Sequence, residues 1–204
     1  MNEMSILFIS GGMNLEIRDY QKEDQTSWLR CRVLAFLDTA YYDVVAKEKE
    51  VYQYPSIELV AIEDGMVVGL IDVEYEEEPN KICTAHETLG AMIWHLAVHP
   101  DYRNQGIGTS LLEEVEKRLK EKQITYLESW TRDDKWVQRW YLKQQFMKLS
   151  TYLHVYINGT NGIRSQVSDL IPVQSFCQYT GNDWAMIKKR YKRVHECTGF
   201  VKMF

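Results

Sequence analysis

The spacing of apolar positions predicts a chain in which strands come first and then alternate with helices. Strands are expected where apolar and polar residues alternate, or where a short apolar run is bounded by turn residues, and helices where apolar positions recur with the helical period. The predicted strands cover residues 15–18, 57–62, 67–75, 92–98, 124–130 and 149–157. The predicted helices cover residues 24–38, 42–52, 109–123, 134–144 and 184–194.

The order of these elements indicates the fold class. Three predicted strands precede the alternation of helices and strands, an order that favours an α/β (α+β) domain with a mixed sheet and helices on both faces. We expect this domain to cover residues 14–157. Residues 1–13 are interpreted as a short N-terminal preamble, with Met13 as a candidate natural start, and residues 158–204 as a C-terminal extension packed on the domain.

Composition and charge narrow the classes of partner. The chain has 204 residues, of which 45% are apolar and 26% charged, values typical of a soluble globular protein. The net charge of −5 argues against nucleic acid as a binding partner. No apolar run approaches the roughly 18 residues of a membrane span. The four cysteines lack the spacing of a zinc site or a disulfide framework. We therefore expect a cytoplasmic protein with no metal and no membrane partner.

One stretch carries a pattern that favours binding of an anion. An apolar strand and a turn at Pro100 lead into Arg103-x-x-Gly106-x-Gly108, which opens the predicted helix 109–123. A helix start presents unpaired N–H groups and the positive end of the helix dipole. Glycine removes the Cβ atoms that would keep a phosphate away from this backbone. A P-loop would need a Lys after Gly108, and a dinucleotide fingerprint would need a third Gly.

With the strand before it, this stretch resembles motif A of the GNAT superfamily, the acyl-CoA-dependent N-acyltransferases. The resemblance implies a mostly antiparallel central sheet with splayed central strands, and N-acetyl transfer from acetyl-CoA as co-substrate to an amine. It implies that the strand 96–98 pairs with the pantetheine amides and that the loop 103–108 holds the pyrophosphate. The cofactor-binding residues that it implies are Leu96, Ala97, Val98, Arg103, Asn104, Gln105, Gly106, Ile107 and Gly108.

Residues 140–146 are similar to the Tyr-x-x-x-Gly-Phe segment of the same family. Tyr141 falls on the family's Tyr, which implies that its hydroxyl lies near the cofactor sulfur and protonates the leaving thiolate as general acid. Gln145 stands where the family has Gly. Asp134 lies where the family often has an Asn, and it is interpreted first as a helix cap and second as a cofactor contact.

The sequence leaves several groups as candidates for the general base. Glu128 resembles the Glu of a Leu-Glu pair that some family members carry on the strand beside the cleft, and it is the first candidate. His95, Asp72 and Glu74 lie on neighbouring predicted strands. A chain of waters without a single essential side chain is the remaining alternative.

The acceptor is not identified by the sequence. It is expected to be a small-molecule or peptide amine, attracted by acidic and aromatic side chains near the cleft, whereas Glu76, Glu77 and Glu78 are interpreted as a solvated loop. The extension is expected to pack on the domain, to cover an edge strand or to form a homodimer contact. A catalytically weak acyl-CoA-binding sensor or scaffold is the alternative to the enzyme.

Overall fold

The computed structural model describes residues 6–10, 13–160 and 163–204. These residues form nine strands and four α-helices. The strands are β1 (Ile6–Ser10), β2 (Met13–Asp19), β3 (Ser56–Glu63), β4 (Met66–Tyr75), β5 (Gly90–Val98), β6 (Tyr126–Thr131), β7 (Met147–Asn158), β8 (Gln174–Tyr179) and β9 (Arg193–Met203). The helices are α1 (Gln25–Leu37), α2 (Ile107–Glu121), α3 (Lys135–Lys143) and α4 (Trp184–Arg190).

All nine described strands belong to a single sheet with the order β1-β2-β3-β4-β5-β6-β9-β7-β8. Neighbouring strands are antiparallel except β5 and β6, which are parallel. The sheet separates two apolar clusters. One cluster contains residues of α2 and α3, and the other contains residues of α1. The predicted mixed, mostly antiparallel sheet with helices on both faces is therefore confirmed.

Helix α2 is the element that the sequence predicts best. Four side chains at helical spacing face the sheet and are at most 1% exposed: Leu111, Leu112, Val115 and Leu119. Burying this stripe against β3, β4 and β5 aligns the helix so that its N-terminus lies beside the end of β5. The predicted start at Thr109 lies two residues inside the observed start at Ile107.

The helix predicted at residues 42–52 is wrong. This segment consists of turns and extended chain, and Val45 and Val51 are 64% and 96% exposed. Its conformation is set by Lys49, whose Nζ lies 2.6 Å from Glu58 and 3.2 Å from Asp72. Because a buried ammonium needs its carboxylate partners, the chain follows Lys49 to the sheet instead of closing helical hydrogen bonds.

The interpretation of residues 1–13 as a preamble is corrected in part. Residues 6–10 form strand β1, which pairs antiparallel with β2, whereas residues 1–5 and 11–12 lie outside the described residues. The sequence provided no alternation strong enough to identify this edge strand.

A division of the chain at residue 157 does not match a break in the sheet. Strand β9 inserts between β6 and β7 and pairs antiparallel with both. Helix α4 ends at Arg190 instead of the predicted residue 194, because β9 already begins at Arg193. Residues 159–192, which contain β8 and α4, are therefore an insertion between two strands of the sheet rather than a terminal addition.

The position of β9 generates a stability prediction. Phe200 of β9 is fully buried and stacks on Tyr141, with ring centroids 5.2 Å apart. We expect Phe200→Ala to lower the free energy of unfolding by about 3–5 kcal/mol, the usual cost of a large cavity in a core. Chemical denaturation measures it. Phe176→Ala, on the edge strand β8 where the ring is 55% exposed, is the matched control and should cost clearly less. Equal costs would contradict the central place of β9.

Candidate active site

The parallel strands β5 and β6 run side by side for only part of their length. Their pairing extends from Gly90 opposite Tyr126 to Ile93 opposite Ser129, and then stops although β5 continues to Val98. We call the gap between the strands beyond Ile93 and Ser129 the notch. The splayed central strands predicted from the sequence are present, and the notch connects the α2–α3 face of the sheet with the α1 face.

A bulge in β5 accompanies the notch. Asp72 of β4 lies opposite His95, but the next residue, Val73, lies opposite Ile93. Trp94 is therefore an extra residue in β5. A bulge bends its strand and increases the local twist, so it turns the end of β5 away from β6 and leaves the edge of Leu96 to Val98 without a partner strand among the described residues.

The loop between β5 and α2 presents a row of free donors. The backbone N–H groups of residues 104–108 donate no hydrogen bond within the described part of the chain. Asn104 and Gly106 have φ angles of 63° and 85°, a left-handed backbone that turns successive amides toward one side. Such a concave row, at the N-terminus of α2, fits a phosphate group. The sequence predicts a pyrophosphate site at this same loop.

Glycine at position 108 is not needed for packing. A Cβ placed there would meet Val98 at 3.6 Å and Trp140 at 3.7 Å, which are ordinary contacts. Gly69 differs, since a Cβ there would lie 2.6 Å from Ile107. Packing would therefore tolerate a Cβ at position 108, and the glycine there is compatible with close approach of a ligand to the start of α2.

Arg103 is used differently from the expectation. Its Nη2 donates to the carbonyl of Ala35 at 2.8 Å, its Nη1 lies 3.9 Å from Asp38, and its guanidinium lies over the ring of Trp136. The charge stays beside the loop 103–108, but the side chain also ties that loop to the end of α1.

Residues 35–43, which we call the α1 strap, cross from the β5 side of the notch to the β6 side. At the β6 side, Arg132 donates through Nη1 to the carbonyl of Ala40 at 2.6 Å. Arg193 of β9 donates to both carboxylate oxygens of Asp43, at 2.6 and 2.7 Å. The strap therefore closes the outer end of the notch on the α1 face.

Asp134 occupies the predicted N-cap position of α3, but its side chain makes no capping bond. Its carboxylate instead accepts the N–H of Ala40, with oxygens at 3.0 and 3.2 Å. The interpretation as a side-chain cap is thus corrected, because the strap supplies a backbone donor that competes for the carboxylate. Partial burial raises the pKa of Asp134 above its usual range.

Tyr141 lies on the α2–α3 face at the point where the strands part. Its hydroxyl accepts a hydrogen bond from Ser129 Oγ at 2.8 Å, and Ser129 is the last residue of β6 that pairs with β5. Because Ser129 donates, the phenol proton stays available. Burial raises the pKa of Tyr141 to about 12, so the phenol is protonated at neutral pH. Gln145 has a φ of 68° and keeps the left-handed turn of the glycine that it replaces.

Glu128 lies on the opposite, α1 face of β6 and is fully buried. Its Oε2 accepts the N–H groups of Thr84 and Ala85 at 3.0 and 3.1 Å. Its Oε1 accepts Trp130 Nε1 at 2.7 Å and the Thr84 hydroxyl at 3.4 Å. Two donors therefore face each oxygen. The carboxylate anchors the loop after β4 and has no free lone pair for a proton.

The other candidate bases are also engaged. His95 Nε2 lies 3.3 Å from Arg32 Nη2. His95 Nδ1 lies 3.1 Å from the Tyr52 hydroxyl and 3.3 Å from Asp72. Glu74 accepts the N–H of Tyr54 at 2.8 Å and Trp94 Nε1 at 2.6 Å. All these groups face donors of the protein itself.

Glu76 does not belong to a solvated loop. It is 1% exposed, and its Oε1 accepts three successive N–H groups, those of Lys81, Ile82 and Cys83, at 2.8–2.9 Å. Glu77 and Glu78 are exposed as expected. Glu76 and Glu128 together hold the loop between β4 and β5 across the α1 face of the notch.

A cavity of about 650 Å³ opens on the α1 face beside the notch. Met92 and Trp94 of β5 form one side, and Glu128 and Trp130 of β6 form the opposite side. The outer wall comes from β7 and from Gln178 and Thr180, at the end of β8. The cavity is therefore open to the same gap that Tyr141 approaches from the other face.

Comparison with known proteins identifies this arrangement. The family model of the acetyltransferase (GNAT) family matches residues 14–146. The chain belongs to the GNAT acetyltransferase family. It is thus an acyltransferase by family, as the sequence predicted.

Individual GNAT proteins share different amounts of the chain. An acetyltransferase of Sodalis glossinidius (strain morsitans) is 34% identical over 109 residues, which are 52% of this chain and 67% of that protein. The structure of the ribosomal-protein-S18-alanine N-acetyltransferase from Escherichia coli aligns with a TM-score of 0.56 and 13% identity over 93% of each chain. A GNAT family acetyltransferase from Elizabethkingia anophelis with acetyl-CoA bound aligns with a TM-score of 0.52 and 14% identity, over 94% of this chain and 99% of that chain. At such identities the two structures establish a shared fold.

Sequence reasoning missed two parts of this GNAT site. Trp94 lies inside a predicted strand and carries no motif. Ser129, which follows the candidate Glu128, also lies inside a predicted strand and has no distinguishing pattern. Among the described residues, no helix is long and apolar enough to cross a membrane.

The geometry of Glu128 predicts a stability effect. Replacing it by Gln substitutes an amide NH₂ for one carboxylate oxygen, so that this NH₂ faces the protein donors that the oxygen accepted. We expect Glu128→Gln to lower the free energy of unfolding by about 2–3 kcal/mol, the range for buried hydrogen bonds to a charged group. Denaturant titration measures this. Glu113→Gln, at an exposed site of α2, is the control and should be nearly neutral. Unchanged stability in Glu128→Gln would contradict an anchoring role.

Proposed function

We propose that the protein transfers an acetyl group from acetyl-CoA to a primary amine by direct attack in a ternary complex. The main support for this proposal is the notch, which joins the loop 103–108 and Tyr141 on one face of the sheet to the cavity of about 650 Å³ on the other. The acceptor would be a small molecule or a peptide amine that enters from the α1 face.

The cofactor side rests on two features. The free N–H groups of residues 104–108 fit a pyrophosphate, and the unpartnered edge of Leu96, Ala97 and Val98 fits a chain of amides that adds to the sheet like a strand. Acetyl-CoA supplies the acyl group as a thioester. Asp134 would contribute by holding the strap at Ala40 beside this path rather than by direct contact.

Tyr141 is the proposed general acid. Its phenol keeps its proton over the whole working pH range, since its pKa is about 12. Ser129 orients the oxygen and leaves the hydrogen free to be donated to the leaving thiolate. The position of Tyr141 at the parting of β5 and β6 supports this role, because an acyl group transferred from one face to the other through the notch would pass beside the hydroxyl.

The acceptor enters mostly as an ammonium and must lose a proton before attack. Glu128 is proposed as the carboxylate that draws this ammonium into the cavity. Both oxygens of Glu128 already accept hydrogen bonds from the protein. The proton lost by the ammonium would therefore reach bulk solvent through water in the open cavity, unless Glu128 exchanges one of these hydrogen bonds for that proton. A fall in kcat for Glu128→Gln that exceeds its effect on KM would favour direct proton transfer to Glu128.

Removal of the Tyr141 hydroxyl tests the acid. We expect Tyr141→Phe to lower kcat by roughly 10- to 1000-fold, because the leaving thiolate loses its proton donor. Release of free thiol from acetyl-CoA is measured with a panel of peptides, polyamines, aminoglycosides and small amines. Tyr126→Phe is the control, since that hydroxyl donates to the carbonyl of His86, in the loop between β4 and β5, and has no role in the proposed reaction. Unchanged turnover in Tyr141→Phe would remove Tyr141 from the mechanism.

A side chain at position 108 tests the phosphate-binding loop. We expect Gly108→Val to weaken coenzyme A binding at least about tenfold, equivalent to about 1.4 kcal/mol, because its methyl groups would obstruct the free amides. Isothermal calorimetry measures the affinity, and denaturation should show no loss of stability. Glu113→Val, on the exposed side of the same helix, should bind like the wild type. Wild-type affinity in Gly108→Val would place the pyrophosphate elsewhere.

A further inference from the structure

Two tryptophans lie on opposite sides of the acceptor cavity, and the indole N–H of each already donates a hydrogen bond. Trp94 of β5 donates through Nε1 to Glu74 at 2.6 Å, and Trp130 of β6 donates through Nε1 to Glu128 at 2.7 Å. The two carboxylates are 5% and 0% exposed. Each indole is thus fixed by a buried charge at its polar end, and its carbon surface is what remains for the cavity.

The charges around this cavity have one sign. Among the described residues that line it, Glu128 alone is charged. A carboxylate that accepts from an indole N–H places negative charge at the edge of the ring, which strengthens the attraction of the ring face for a cation. Tyr152 extends the aromatic surface, with its ring centroid 5.2 Å from that of Trp130. The walls therefore favour a cation over a neutral group of the same size.

The neighbouring cations already have partners within the protein. Arg132, two residues after Trp130, is buried and donates to the carbonyl of Ala40 and to His154 Nδ1, and the others lie against carboxylates. Lys49 lies against Glu58 and Asp72, and Arg32 lies 3.5 Å from Glu50. Lys81 lines a smaller, adjacent cavity of about 270 Å³ and pairs with Glu78 at 3.3 Å. A carboxylate on the acceptor, close to its reacting nitrogen, would find no cationic partner in the lining and would face Glu128.

From these observations we propose that the acceptor is a primary alkylammonium with no carboxylate on the carbon that carries the nitrogen, and that Trp94 and Trp130 select it. The inference rests on the proposed acetyl transfer and deepens it. A free alkylamine or diamine and the side chain of a lysine in a peptide share this chemistry. The outer wall, which includes the neutral side chains Ser150, Thr151 and Gln178, is compatible with either source.

Binding is tested first, without the cofactor. Pentylamine and norleucine differ only by the carboxylate, and norleucine amide carries a neutral amide in place of that carboxylate. We expect pentylamine, and to a lesser degree norleucine amide, to shift the indole N–H resonances of Trp94 and Trp130 in NMR titrations, and norleucine to leave them unchanged. Spectra of Trp94→Phe and Trp130→Phe assign the two resonances. Equal shifts with norleucine and pentylamine would overturn the inference.

Kinetics then test the selecting role. We expect Trp94→Leu to raise KM for pentylamine about 3- to 30-fold with little change in kcat or in KM for acetyl-CoA, a size that matches a cation–π contact. Trp94→Phe, which keeps an aromatic face, should stay within about threefold of the wild type. Trp184→Leu, on α4 outside the cavity, is the matched control. Cadaverine and an N-acetylated peptide containing lysine distinguish the free amine from the protein side chain.

The outcomes separate this inference from the proposed function. Turnover that depends on Tyr141 but favours norleucine, or an unchanged KM for pentylamine in Trp94→Leu, overturns the inference and leaves acetyl transfer standing. Acetyl-CoA binding without turnover of any alkylamine also overturns it. Failure to bind acetyl-CoA overturns the proposed function itself.

Discussion

The parting of β5 and β6 is the constraint on which the rest of the structure depends. Two central strands that stop pairing leave backbone donors and acceptors without partners, and such groups must be satisfied by something else. The bulge at Trp94 enforces the divergence, and the α1 strap bridges its outer end through Arg103, Arg132 and Arg193. What remains open is one passage between the two faces of the sheet. The loop 103–108, Tyr141 and the cavity are all arranged around that passage.

Buried carboxylates hold the elements that surround the passage. Glu76 and Glu128 accept backbone N–H groups of the loop between β4 and β5, and Asp134 accepts the N–H of Ala40 in the strap. Charge-assisted bonds of this kind are strong, and they compensate the cost of removing a carboxylate from water. As a consequence, most acids on the acceptor face are used for architecture. In the proposed function their charge would still act on the ammonium of the acceptor, because hydrogen bonds from neutral amides leave that charge in place.

The sequence predicts what is encoded locally. The stripe of Leu111, Leu112, Val115 and Leu119 specifies α2, and Gly106 with Gly108 specifies the loop at its start. The partners of Glu76, Asp134 and Lys49 could not be predicted, because each lies far along the chain or depends on how a loop folds back. The same reason explains the missed insertion of β9 between β6 and β7. Long-range strand pairing leaves no periodic trace in the strand that is inserted.

Strand β9 and the insertion before it, residues 159–192, contribute to different parts of the site. Phe200 of β9 stacks on Tyr141, so the last strand of the chain supports the proposed acid from behind and must keep a fixed place in the core. Residues 159–192, which lie between β7 and β9 and outside the family match, add β8 to the edge of the sheet and bring Gln178 and Thr180 to the outer wall of the cavity. Changes in this insertion can alter the wall without moving Phe200. In the proposed function, the strand that supports Tyr141 is therefore separate from the segment that would contact the acceptor.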